Sequence, residues 1–172
     1  FIFDIVWSAN ICTSLHLKPT AMGFVHINYL EMIIAILQLC ATIQLLDDKH
    51  ITTDIQVPIL HLLTDNMSTK HWIQEVTAHT NSTKGHLLVS IYGQLLRRTT
   101  VGVLPHWIAS ADNIKPDFVS RLDSTLSFDS RRTQILKVVP EAISWLCFQP
   151  SPMLLSCLSS VLVSDSGTTE IP

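Results

Sequence analysis

The sequence predicts an α/β fold in which helices cover both faces of a mixed sheet. Two segments, Phe1–Ala9 and Ile59–Thr64, are apolar along most of their length, as buried central strands are. The first is also rich in aromatic and β-branched residues. Helical spacing of apolar residues follows Asn28 and again follows Asn66. Strands and helices therefore alternate along the chain, which is the pattern of a sheet joined by helical crossovers.

Composition indicates one folded domain, or one domain with an appendage. The 172 residues are 47% hydrophobic and 15% charged, which excludes a disordered tail. The low charged fraction suggests that some of the surface packs against another part of a larger protein. Because the chain begins with Phe1 rather than Met, we expect it to be a fragment of a longer product.

The net charge of −3 gives no sign of nucleic-acid binding, which would need a local basic patch. The four cysteines are far apart and form no CxxC pair. This favours buried free thiols and an intracellular location over disulfides. The eight histidines are scattered, and His71 and His79 lack the i, i+4 spacing of a helical zinc site.

No leader peptide and no membrane span are expected. Phe1–Trp7 contains an aspartate and lacks basic residues, unlike a signal sequence. The most apolar stretch, Met32–Leu46, is interrupted by Gln38 and Gln44.

The first half of the chain is predicted as a strand, a weak hairpin and a helix. After Phe1–Ala9, short strands are expected at Leu15–Leu17 and Phe24–Ile27. Asn28 is the predicted N-cap of a helix that ends near Leu46, with Glu31 at its third position as in a capping box.

The second half continues with a strand, two helices, a strand and a short helix. Behind Ile59–Thr64, Asp65 or Asn66 is expected to cap a helix that ends near His79. The remaining predictions are a helix over His86–Arg98, a strand over Val101–Ile108 and a helix from its cap Asn113 to Arg121. Apolar residues predicted to face inward on these helices are Trp72, Ile73, Val76, Leu87, Leu88, Ile91, Leu95 and Leu96.

The amino-acid composition changes beyond Leu122. Asp123–Arg132 is polar and is predicted as a linker, followed by a helix over Thr133–Phe148 that breaks near Pro140 and a helix over Pro152–Val163. We therefore predict a domain at residues 1–123, and a linker with an apolar helical tail at 124–172.

Three segments of the chain carry a family resemblance. They are HINYLEM, LLTDN followed by a helix, and WIASADNIKPDFVSRL. In this order they resemble the ribonuclease H domain of retrotransposon polyproteins of the DIRS and gypsy kinds, whose patterns are HINxLE, TDN and HIPGxxNxxADxLSR. The resemblance covers about Ile5–Leu122 and implies a ribonuclease H-like mixed sheet. The helical tail predicted beyond residue 124 follows it as a C-terminal appendage.

The resemblance implies hydrolysis of the RNA strand of RNA–DNA hybrids with two Mg²⁺ or Mn²⁺ ions. Its metal-binding and catalytic carboxylates correspond to Glu31, Asp65 and Asp117. It also implies an attached reverse transcriptase domain in the parent polyprotein and no membrane partner. Alternatives remain for each carboxylate: Glu31 as a capping-box residue, Asp65 as an N-cap, and Asp117 as an acidic residue that favours a helix N-terminus.

Departures from the family pattern point to weak or lost activity. The first-strand pattern VWxSDASTSxG aligns Asn10 with the fourth carboxylate, and Asp4, six residues earlier, is a weak substitute. The hairpin Leu15–Gly23 is shortened, and His106 lies one place early for the HIPG histidine. The alternatives are a non-catalytic ribonuclease H-like module, structural or nucleic-acid-binding, in a polyprotein or relic, and a small interaction domain whose motif matches are accidental.

The same resemblance suggests residues for contact with the hybrid, namely Asn66, Lys70, Asn113 and Arg121. Six basic residues form either a phosphate-binding face or an ordinary solvated surface, namely Lys70, Lys84, Arg97, Arg98, Lys115 and Arg121. Trp72 is expected in the core rather than as a platform for stacking bases.

Overall fold

The computed structural model describes residues 2–3, 25–48, 57–78, 82–123, 125–144 and 147–163. Most of the predicted first strand, the strand at Leu15–Leu17 and the positions Asp4 and Asn10 lie outside these residues. The helices are α1 (Ile27–Asp48), α2 (Met67–Glu75), α3 (Thr83–Arg97), α4 (Ile114–Ser120), α5 (Phe128–Val138) and α6 (Pro152–Val163). The strands are β1 (Ile2–Phe3), β2 (Ile59–Thr64), β3 (Gly102–Trp107) and β4 (Cys147–Phe148), and 3₁₀ turns occupy Ser110–Asp112 and Pro140–Ser144.

Two parallel strand pairs lie among helices, which confirms the α/β class. Strand β2 pairs with β3 in a register that runs from Ile59 opposite Gly102 to Thr64 opposite Trp107. Helices α2 and α3 connect these two strands, and β1 pairs with β4. The finer expectation of a ribonuclease H-like mixed sheet stays a prediction.

Helix α1 is the centre of the hydrophobic core. Met32, Ile33, Ile36, Leu37 and Leu39 are all fully buried in it. Its length and apolar composition alone would allow it to cross a bilayer, contrary to the expectation from the sequence, but a core helix of a globular protein has the same properties. A substantial part of the helix is buried against other elements, including α3.

The start of α1 differs from the prediction. The helix begins at Ile27, so Asn28 is not its N-cap and Phe24–Ile27 is not a strand within the described residues. His26 takes the capping role, because its Nδ1 accepts a hydrogen bond from the Asn28 N–H at 3.1 Å. Because His26 caps the helix, the Asn28 side chain is available to contact Asn66 at the start of α2.

Helix α2 has the predicted start but a shorter course. Asn66 is its N-cap, and its Oδ1 accepts from the Thr69 N–H at 3.1 Å. The helix ends at Glu75 rather than near His79, because Val76 adopts a left-handed conformation with φ of 50°. Val76 is 40% exposed, so the predicted inward position is wrong there, as it is for Leu87 on α3 at 45%.

The C-terminal part contacts the core. Leu158 and Leu162 of α6 are buried in the same cluster as α1, and the buried Lys84 donates to the Leu162 carbonyl at 2.6 Å. The predicted linker is wrong at its end, because Ser127 caps α5 and the helix includes Phe128–Arg132. The helix Pro152–Val163 is confirmed, whereas the domain boundary near residue 124 stays a prediction.

Cys40 and Cys157, the cysteines whose side chains the structure describes, are both free thiols. Cys40 is half-buried, and burial raises the pKa of its thiol. Cys157 is exposed, so the expectation of buried thiols is wrong for this residue.

Candidate carboxylate site

Glu31 and Asp65 are brought together by two different elements. Glu31 lies in the second turn of α1, and Asp65 directly follows the last residue of β2. Burial raises the pKa of Glu31, and the nearby negative charge of Asp65 raises it further. The Thr64 hydroxyl donates to Glu31 Oε2 at 3.5 Å, which acts in the opposite direction and lowers the pKa.

Asn66 joins the two segments that carry these carboxylates. Its Nδ2 donates to Asn28 Oδ1 at 2.7 Å, while its Oδ1 caps α2. The Asn66 N–H also donates to the Thr64 hydroxyl at 3.1 Å. These bonds hold the end of β2 against the first turn of α1, so they determine where Asp65 lies relative to Glu31.

The third motif segment begins beside the same point. The indole N–H of Trp107 donates to the backbone carbonyl of Asp65 at 3.2 Å. The Ile108 N–H donates to the Thr64 carbonyl at 3.0 Å and extends the β2–β3 pairing by one bond. All three motif segments therefore meet at the C-terminal end of β2, the edge at which parallel sheets commonly bind ligands.

Asp117 lies on α4, downstream of this point. Its backbone is helical, and its side chain lies outside the described residues. Asn113 occupies the cap position of α4, but its side chain makes no capping hydrogen bond there. The structure thus brings together two of the three predicted carboxylates and positions the helix of the third.

Carboxylate oxygens at this site have the chemistry that Mg²⁺ and Mn²⁺ prefer. Within the described residues, no group of three His, Cys, Asp or Glu side chains is placed to hold a metal ion. A cation between Glu31 and Asp65 would offset the charge repulsion and desolvation that raise the Glu31 pKa. Glu31 and Asp65 by themselves would therefore supply only part of a ligand set for a divalent cation.

The residues predicted to contact nucleic acid lie in environments that differ from one another. The Asn66 side chain makes the two structural hydrogen bonds given above, and Lys70 lines a cavity of about 370 Å³ beside Ile73 and Tyr92. Arg121 is exposed at the end of α4.

The proposed basic face is smaller than expected from the sequence. Lys84 is only 7% exposed, and Lys115 forms an ion pair with Glu141. Trp72 is 4% exposed and packs near Tyr29, which confirms its place in the core.

Sequence patterns alone missed four residues that shape the site. Thr64 contacts Glu31, Trp107 contacts Asp65, Asn28 contacts Asn66, and His26 caps α1. Polar side chains at the ends of predicted elements were the available signal, but their partners lie on other elements.

Comparison of the chain with protein-family models, with curated proteins and with solved structures gave no significant match. The motifs and the geometry described above are therefore the observations that bear on function.

Proposed function

We propose that this chain is a retroelement-derived ribonuclease H-like domain that hydrolyses the RNA strand of RNA–DNA hybrids. In this proposal Glu31 and Asp65, with Asp117, hold the divalent cations. Asn10 replaces the first aspartate and reduces the rate of hydrolysis. An attached reverse transcriptase domain in the parent polyprotein supplies the hybrid.

The strongest support for this proposal is the contact between two of the motif segments. The HINYLE and TDN segments were singled out by sequence patterns, and they meet through the Thr64–Glu31 and Asn66–Asn28 hydrogen bonds. Accidental motif matches at separated positions would have no reason to converge at one sheet edge. The negative charge of Asp65 also lies close enough to Glu31 to raise the Glu31 pKa.

The residues of the chain have distinct roles in this proposal. When bound, divalent cations activate the attacking water and stabilise the leaving oxygen of a phosphodiester. Glu31 and Asp65 supply hard anionic oxygens. Thr64 orients the Glu31 carboxylate, and Trp107 fixes the Asp65 backbone through its carbonyl.

The second candidate is a non-catalytic ribonuclease H-like module that retains hybrid binding or a structural role. The observation that favours it is Asn10, a neutral amide at the position of a metal-bridging carboxylate. A neutral ligand leaves the positive charge of the ions less well compensated, and losses of about 10²–10³ in rate are typical when one electrostatic contact is removed.

Restoring the carboxylate tests the proposal. The purified chain and its Asn10→Asp variant are incubated with a 5′-labelled RNA in an RNA–DNA hybrid, in Mg²⁺ and separately in Mn²⁺. We expect slow cleavage by the natural chain and an increase of about 100-fold in the variant. Adding Asp65→Asn to this variant should abolish the gain, whereas Asp112→Asn, a change in the neighbouring 3₁₀ turn, should leave it intact.

The outcomes separate the candidates. Cleavage that appears only with Asn10→Asp supports a decayed metal site. Hybrid binding without cleavage in both proteins favours the non-catalytic module. A gain that survives Asp65→Asn would refute the assigned site.

A further inference from the structure

Two exposed histidines meet on the outer face of the β2–β3 pair. His61 lies opposite Leu104, and His106 lies opposite Leu63, so the histidines are diagonal neighbours on the same face. His61 Nδ1 and His106 Nε2 are 3.0 Å apart, and the ring planes differ by only 10°. The ring centroids are 5.2 Å apart, which places the two nitrogens between the centroids and the rings edge to edge.

Both nitrogens face each other, and only one of them can carry the proton between them. A hydrogen bond between two exposed groups contributes little to stability. The more specific property of this arrangement is the pair of imidazole nitrogens held at short range. Their backbones are fixed by the parallel pairing of β2 with β3, although the residues are 45 positions apart in the sequence.

The separation is close to that of two ligands on one metal ion. At Zn–N distances of 2.0–2.1 Å and a tetrahedral angle, two coordinating nitrogens lie about 3.3 Å apart. The observed 3.0 Å reaches this value if the rings separate by a few tenths of an ångström and rotate to aim at a common point. Both side chains are exposed, so this rotation meets little resistance and an ion has direct access from solvent.

We propose that His61 and His106 form a chelating site for Zn²⁺ and for the similar ions Ni²⁺ and Cu²⁺. The ion is held by His61 Nδ1 and His106 Nε2, and water completes its coordination. The proton between the rings moves through solvent to the other nitrogen of the ring that carried it. Both imidazoles remain neutral, and no proton is gained or lost.

The site differs in chemistry from the carboxylate pair at the end of β2. Imidazole nitrogen suits Zn²⁺, Ni²⁺ and Cu²⁺, whereas Mg²⁺ prefers oxygen. No third His, Cys, Asp or Glu joins the two histidines within the described ranges. We therefore expect moderate affinity, one ion per chain and no competition from Mg²⁺.

Calorimetric titration of the whole chain with ZnCl₂ at pH 7.5, after removal of metals with EDTA, tests the site. We expect the histidine site to bind one ion per chain, and His61→Ala and His106→Ala each to weaken binding at this site by at least about tenfold. The matched controls are His71→Ala and His86→Ala, which remove other exposed histidines on α2 and α3. Millimolar Mg²⁺ should leave the isotherm unchanged, because Mg²⁺ prefers oxygen ligands to imidazole nitrogen.

A spectroscopic measurement identifies the ligands directly. Pulsed electron paramagnetic resonance of bound Cu²⁺ should detect two imidazoles in the natural chain and one in each single variant. His61→Gln, which retains a polar side chain, guards against a folding defect from the alanine change and should give the same loss. Equal zinc affinity in the natural chain and both alanine variants, or an equal loss in His71→Ala or His86→Ala, would overturn the proposal.

Discussion

Asn66 links the end of β2 to two helices, and its removal should destabilise the protein measurably. In Asn66→Ala, α2 loses its N-cap bond to Thr69, and the Asn28 side chain loses its partner. Replacing an N-cap by alanine costs about 1 kcal/mol. Loss of a partly buried hydrogen bond costs about 1 kcal/mol more. We expect a total loss of about 2 kcal/mol in the free energy of unfolding, or roughly 4–8 °C in Tm for a chain of this size.

Urea denaturation followed by circular dichroism measures this change. Asn113→Ala is the matched control, because Asn113 also occupies a helix cap position but makes no capping bond with its side chain. This control should cost less than about 0.5 kcal/mol. Asn66→Ser retains a neutral capping oxygen and loses the donor to Asn28, so it should fall below the natural protein by a smaller amount than Asn66→Ala.

Equal stability of Asn66→Ala and Asn113→Ala would contradict this expectation. Asn66→Ser as unstable as Asn66→Ala would also contradict it, because the cap would then contribute nothing.

Three further predictions concern other contacts. Glu31→Gln should stabilise the metal-free protein at pH 7 by roughly 0.5 kcal/mol, because it removes the like-charge pair with Asp65. The folded-state pKa of Glu31 is raised, so the stability that Glu31 contributes is complete below its unfolded-state pKa and is lost as pH rises through its folded-state pKa. Urea midpoints measured from pH 4 to 8 with EDTA should therefore fall with rising pH in the natural chain and not in Glu31→Gln. Gly93→Ala should cost about 1–3 kcal/mol by thermal unfolding, because the new Cβ would lie 2.8 Å from Val76 Cγ1. Lys84→Met should cost about 2 kcal/mol and speed hydrogen exchange in α6, because Lys84 donates to the Leu162 carbonyl.

Each of these predictions has a control. Lys137→Met removes an exposed lysine on α5 and should leave exchange in α6 unchanged. Val76→Gly removes both the clashing methyl group and a valine in the left-handed conformation. It should therefore restore the stability lost in Gly93→Ala, and by itself it should raise the free energy of unfolding by about 1 kcal/mol. If the stability of Glu31→Gln still falls between pH 4 and 8, a group other than Glu31 causes the pH dependence.

Local patterns in the sequence were sufficient for several elements. Ile59–Thr64 is a strand as predicted, Asn66 caps the following helix, and Pro152–Val163 is helical. These features depend on hydrogen bonds and side-chain periodicity within a few residues, which the order of residues alone specifies. The α/β class follows from the same signals, because their alternation leaves few ways to bury the apolar strands.

Competing local signals gave the wrong helix boundaries. Asn28 and His26 both precede apolar helical spacing, and only the folded chain shows His26 as the cap while Asn28 contacts Asn66. Val76 continues the apolar stripe of α2, but its backbone turns left-handed against Gly93 of α3. Packing between elements outweighs propensity at such positions.

The sequence by itself determined the α/β class, the main helices and the motif residues Glu31 and Asp65. Only the tertiary structure decided that Glu31 approaches Asp65 and that His61 meets His106. Thr64 and Glu31 are 33 positions apart, and the two histidines are 45 apart. Contacts over such separations depend on strand register and helix packing, which are set by the burial of the whole core around α1 rather than by neighbouring residues.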